Sequence, residues 1–98
     1  DGSETPAVFT LEQNHPNPFN PTTRISFSLD REGVVSLVVY DITGKVVTRL
    51  VDRQMSAGMH LEEWNGRDTQ GNPVASGIYF YRLTNGNRML TKKMVLLK

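Results

Sequence analysis

The sequence predicts an all-β fold, an antiparallel sandwich of about seven strands. Three observations predict it. Apolar residues recur with a period of two, most cleanly at Ile25, Phe27 and Leu29. Clusters of Gly, Asn, Asp and Pro interrupt the chain about every ten residues. No segment sustains the period of an amphipathic helix.

The elements follow in order. In residues 22–29, Ile25, Phe27 and Leu29 point one way, and Arg24, Ser26, Ser28 and Asp30 the other, which marks a half-buried strand. Arg31-Glu32-Gly33 turns the chain. Residues 34–40 are rich in β-branched side chains and read as a second strand. Asp41-Ile42-Thr43-Gly44 is a turn, and residues 45–51 complete a hairpin. Ser56-Ala57-Gly58 breaks the pattern before a strand over residues 59–64. Asn65-Gly66 and Gln70-Gly71-Asn72-Pro73 are turns. Residues 77–84 and 88–97 form a last hairpin, with Asn85-Gly86 expected as the central pair of a type I′ turn. Ile25, Phe27, Leu29, Leu37, Val39, Trp64, Tyr79 and Leu83 are the expected core.

One strand is ambiguous. Alternation over residues 59–64 puts His60 and Glu62 on the face of Trp64, so burying Trp64 also draws in Glu62, at a cost unless it is paired. A bulge that turns Met59 or Leu61 inward is the alternative. The segment around Pro16, Pro18 and Pro21 cannot be a central strand, because prolines donate no amide hydrogen. It is expected to be an ordered extended lead-in whose Phe19 plugs one end of the sandwich.

Composition excludes several classes. Eleven basic and ten acidic residues give a net charge of +1, so nothing favours nucleic acid or an anionic membrane. Without cysteine there is no disulfide framework and no thiolate metal site. No run approaches the roughly 20 apolar residues of a membrane helix, so no membrane insertion is expected. His15 and His60 lie in different elements, and Glu62 and Glu63 face opposite sides of a strand. Neither a metal centre nor an acid–base pair is expected, and with no nucleophile constellation the chain is not read as an enzyme. Asp68-Thr69-Gln70-Gly71-Asn72 reads as an ordinary turn, since the closing Glu of a calcium loop is missing. No cofactor is implied.

Residues 1–6 are polar, and residues 1–10 are expected to link to a preceding domain, with residues 11–98 as the folded unit and the chain as a piece of a longer protein. Residues 1–6 are expected to be mobile. The last strand runs to the final residue between lysines. At a sheet edge such a strand offers main-chain groups to a partner strand, and lysines discourage indiscriminate pairing.

Five motifs in register carry a family resemblance. They are Asn17-Pro18-Phe19-Asn20-Pro21-Thr22-Thr23, Tyr40-Asp41-Ile42-Thr43-Gly44-Lys45-Val46-Val47, Trp64-Asn65-Gly66-Arg67-Asp68, Ser76-Gly77-Ile78-Tyr79-Phe80-Tyr81-Arg82-Leu83 and Lys92-Lys93-Met94-Val95-Leu96-Leu97-Lys98. In this order the chain resembles the C-terminal sorting domain of the type IX (Por) secretion system. It also resembles the immunoglobulin-like domain of the flagellar hook-capping protein. The resemblance implies an immunoglobulin-like sandwich that directs a larger cargo protein across the outer membrane of a Bacteroidetes-like bacterium. It implies the outer-membrane secretion machinery and a sortase-like peptidase as partners, and passage through the periplasm to the cell surface or medium. Recognition is expected at Gly77, Tyr79, Lys92, Lys93 and Lys98, with the domain monomeric. Glu62 departs from the pattern, where an apolar residue is usual. The competing functions are a carbohydrate-binding or adhesion module, with Trp64, Tyr79, Phe80 and Tyr81 as the aromatic platform, and a structural spacer.

Overall fold

The computed structural model describes residues 8–98. The strands among them are β1 (Thr10–Leu11), β2 (Thr23–Leu29), β3 (Gly33–Tyr40), β4 (Val46–Met55), β5 (Gly58–Trp64), β6 (Gly77–Asn85) and β7 (Arg88–Leu96). One sheet runs β1-β2-β5 and the other β4-β3-β6-β7, all antiparallel. The chain changes sheet after β2, after β4 and after β5, which makes an immunoglobulin-like sandwich.

Every residue expected in the core is buried. Ile25, Phe27 and Leu29 on β2 face Leu37 and Val39 on β3 and Tyr81 and Leu83 on β6 across the sandwich. Trp64 closes one end. Its ring lies 5.4 Å from that of Tyr79 and 5.6 Å from that of Phe19, and its indole N–H donates to the Arg67 carbonyl at 2.9 Å. At the other end Arg88 makes a two-pronged pair with Asp30 at 2.8 and 3.0 Å and lies over the Phe9 ring. That pairing holds the Asp30 carboxyl below its ordinary value.

Three expectations need correction. The last hairpin does not turn on Asn85-Gly86. Asn85 pairs with Arg88, so the central residues are Gly86 and Asn87. Gly86 has φ +62° and Asn87 is not positive, the pattern of a type II′ rather than a type I′ turn. Secondly, β4 extends to Met55, four residues past the expected end. Asp52, Arg53 and Gln54 are exposed there, and an edge strand needs no apolar alternation to pair on its one bonded side. β4 also bulges, since Leu50 and Val47 are skipped in the register with β3. Thirdly, the linker ends earlier than residue 10, because Thr10 belongs to β1 and Phe9 packs on the core. The expectation for residues 1–6 lies outside the described residues.

The ambiguity in β5 resolves without a bulge. The strand pairs with β2 in unbroken register, with His60 and Glu62 inward. Glu62 sits half-buried with its carboxylate 4.0 Å from the Arg53 guanidinium, and the His60 ring stacks on Phe27. Inward polar groups thus gain partners, and Met59 and Leu61 remain 72% and 59% exposed.

Two five-residue loops share one build. In Asp41-Ile42-Thr43-Gly44-Lys45 and Asp68-Thr69-Gln70-Gly71-Asn72, the first and fifth residues bond through the main chain at 2.9 Å. In each, one Asp oxygen accepts the amides of the third and fifth residues. The Asp68 loop is therefore a turn whose carboxylate serves its own backbone. Thr43 and the loop amides hold the Asp41 carboxyl below its ordinary value.

Candidate recognition strand

The expected recognition residues all lie on the β6–β7 hairpin or its end, but on different faces. β6 pairs Gly77 with Leu96, Tyr79 with Met94, Phe80 with Lys93 and Tyr81 with Lys92. Tyr79 points inward, is 7% exposed, and donates its hydroxyl to the Ala75 carbonyl at 2.6 Å. Burial raises its pKa. Its contribution to the motif is packing against Trp64. Lys92 lies on the core side of the edge and is half-buried. Lys93 projects from the opposite face and is exposed, as is Lys98. The Lys98 amide donates to Ser76 Oγ at 3.0 Å, which ties the chain end to the start of β6. Gly77 opens β6 with φ +151°, and a side chain there would meet no neighbour, so glycine is required by backbone angle alone. Of the five, Lys93 and Lys98 present exposed side chains.

The β7 edge is not open along its length, contrary to expectation. The proline segment runs beside it. The Phe19 amide donates to the Val95 carbonyl at 3.0 Å, and the Leu97 amide to the Phe19 carbonyl at 2.9 Å. The Val95 amide reaches Asn17 Oδ1 at 3.0 Å, and Gln13 Nε2 donates to the Lys93 carbonyl at 2.7 Å. The prolines cannot donate amides, so the bonds come from Phe19, one asparagine and one glutamine. A partner strand could not add to β7 over residues 93–97 without displacing this cover.

A buried clasp holds the cover in place. Tyr81 crosses from β6 and donates its hydroxyl to the Glu12 carbonyl at 2.7 Å, while it accepts the Asn14 amide at 2.8 Å. The Asn14 side chain donates to Thr23 Oγ1 at 2.9 Å, and Thr23 donates to the Pro16 carbonyl. Asn14, Thr23 and Tyr81 are all buried. Burial pushes the Tyr81 phenol up to about 12. The only signal in the sequence was the interleaving of Asn with Pro, which supplies side-chain groups where amides are missing.

The aromatic platform of the carbohydrate reading is not assembled. Trp64, Tyr79 and Tyr81 are core residues. Phe80 alone faces outward, beside Tyr40 and Arg82, and lines a groove of about 380 Å³. Among the described residues no cluster of His, Cys, Asp or Glu could hold a metal ion.

Residues 14–88 match the family model of the FlgD Ig-like domain. The chain belongs to this family. Solved FlgD structures agree. FlgD from P. aeruginosa is 29% identical, with a TM-score of 0.61 over 76% of this chain and 57% of its own. FlgD from Xanthomonas campestris, described in connection with hook capping in flagellar assembly, is 21% identical, with a TM-score of 0.62 over 91% of this chain and 65% of its own. Two Porphyromonas gingivalis proteins share the fold. Latent dimeric PorU aligns over 96% of this chain with a TM-score of 0.72 and 19% identity. PorZ, a surface component of the type IX secretion system, aligns over 88% with a TM-score of 0.61 and 22% identity. The chain spans 10% and 11% of those two proteins and under two thirds of each FlgD, so the activity of any of the four whole proteins does not transfer with the fold. No curated protein sequence matches the chain. The FlgD Ig-like match stops at residue 88, where β7 begins, so the lysine-bearing strand lies outside it.

Proposed function

We propose that this FlgD Ig-like domain is a non-catalytic sorting signal that takes a larger cargo protein through a type IX secretion system to the cell surface. The observation that carries the reading is the C-terminal strand. Its main chain is already bonded by the lead-in over residues 93–97, while Lys93 and Lys98 project outward from a fixed frame. Recognition therefore works through side chains on a rigid ladder and not through strand addition. The motif resemblance and the shared fold of PorU and PorZ support it. The partners are the outer-membrane secretion machinery and a sortase-like peptidase. The path runs through the periplasm, and the cargo ends at the surface or in the medium.

The test fuses residues 8–98 behind a Sec-exported reporter in a host with a type IX system. The intact fusion reaches the surface, and removal of residues 94–98 traps the reporter in the periplasm. Lys93→Ala with Lys98→Ala separates recognition from unfolding, because substitutions at exposed positions shift stability by about 0.5 kcal/mol or less. The double variant keeps its melting temperature and loses export. A second reading is a structural spacer, favoured by a family match that omits the lysines of β7. Surface delivery by the truncated fusion at the intact level would establish that reading instead.

A further inference from the structure

The sandwich has four sheet edges, and three are protected. β1 is two residues long. β4 is bulged, carries Arg49, Asp52, Arg53 and Gln54, and takes the Thr69 amide at the Val47 carbonyl. β7 is lined by lysines and covered by the lead-in. Among the described residues nothing covers β5, and its charges are Glu62, which faces inward beside Arg53, and Glu63. The strand runs seven residues in unbroken register, with no lysine, proline or bulge.

The direction of its free groups can be worked out. On β2, the Arg24 amide and carbonyl pair with His15, and the Ser26 carbonyl accepts the Glu12 amide. Antiparallel strands alternate, so Ile25 and Phe27 bond β5 through Glu62 and His60. Met59, Leu61 and Glu63 therefore aim their amides and carbonyls away from the sheet. Met59 and Leu61 also carry the largest exposed apolar side chains of this strand, at 72% and 59%.

We propose that β5 pairs with β5 of a second copy of this chain, antiparallel about a two-fold axis at Leu61. Leu61 then faces Leu61, Met59 faces Glu63 and His60 faces Glu62. Each outward amide and carbonyl of these residues gains a partner, and the sheet continues from β1-β2-β5 into β5-β2-β1 of the other copy. Charge selects this register. The His60 imidazole meets the Glu62 carboxylate, whereas parallel pairing would set like charges, Glu62 and Glu63 of both copies, side by side. On the outer face, Met59 and Leu61 of the two copies merge into one apolar cluster. The contact is isologous and closes, so it yields a dimer and no fibre. This departs from the monomer expected from the sequence.

Sedimentation velocity over a concentration series tests the pairing on the full 98-residue chain. The parent dimerises as concentration rises. Leu61→Arg sets two like charges across the axis and raises the dimer Kd at least about tenfold, which corresponds to about 1.4 kcal/mol. Leu61→Glu does the same. An equimolar mixture of the two restores the dimer, because this register brings residue 61 opposite itself. Ile42→Arg, at another exposed apolar position, leaves association unchanged, and circular dichroism melts check that each variant folds. A parent that stays monomeric to millimolar concentration overturns the proposal and leaves the edge to a strand from a different protein. A dimer that survives Leu61→Arg, or a mixture that fails to re-form it, overturns it equally.

Discussion

Phe19 fixes the proline lead-in to the sandwich. It is 2% exposed and packs on Trp64, and its main chain bonds Val95 and Leu97. Phe19→Ala therefore leaves a cavity at the end of the core and costs about 3–5 kcal/mol. Urea titration measures it, and a midpoint equal to the parent's would place Phe19 outside the cooperative unit. Tyr81 gives a pH signature. Its phenol has an ordinary value of 10.0 and is raised to about 12 in the fold, mainly by burial. Folding favours the protonated form, so the stability it contributes is complete below about pH 10 and is lost as pH rises towards about 12. Alkaline titration of stability should fall across that window, and Tyr81→Phe should flatten the fall while lowering stability at neutral pH through two lost hydrogen bonds. An unchanged slope in Tyr81→Phe would assign the alkaline transition to another group. Neither role was readable in full. Aromatic character marked Phe19 for burial, but nothing local to Tyr81 indicated that its hydroxyl meets Glu12 and Asn14, 69 and 67 residues away.

At the level of elements, the lead-in and β7 behave as one unit. The Val95 amide has Asn17 Oδ1 as its acceptor on the outer side of the edge. Asn17→Ala should speed amide exchange at Val95, by an amount set by a hydrogen bond worth about 1 kcal/mol, and leave the amides of β3 unchanged. NMR hydrogen exchange reads both. Equal protection at Val95 would mean that the lead-in lies along the edge without holding it. Strand existence was legible because period-two alternation is a local property, and it placed six of the seven strands. Details decided by neighbours were not. The last hairpin turned one residue later than Asn85-Gly86 suggested, because Asn85 is drawn into the ladder opposite Arg88. β1 is too short to show any periodicity, and it exists only because β2 offers it a partner.

For the whole molecule, local pattern and distant pairing divide the work. The sequence by itself determined an immunoglobulin-like sandwich, its inward-facing residues and the lysines of its last strand. Those features follow from alternation, turn chemistry and a run of motifs in fixed order, each held within a few residues. The inward position of Glu62 was also implied by alternation, but its tolerance rests on Arg53, which belongs to the other sheet. Which edges are open is likewise decided by tertiary structure. The terminal strand looked like the free one, yet residues nearly eighty positions earlier cover it. Among the described residues the uncovered edge is β5, in the middle of the chain, with Met59 and Leu61 exposed beside it. Edge status depends on which strands sit at the ends of each sheet and on what lies beside them. Both are set by contacts between distant segments, and no local pattern records them.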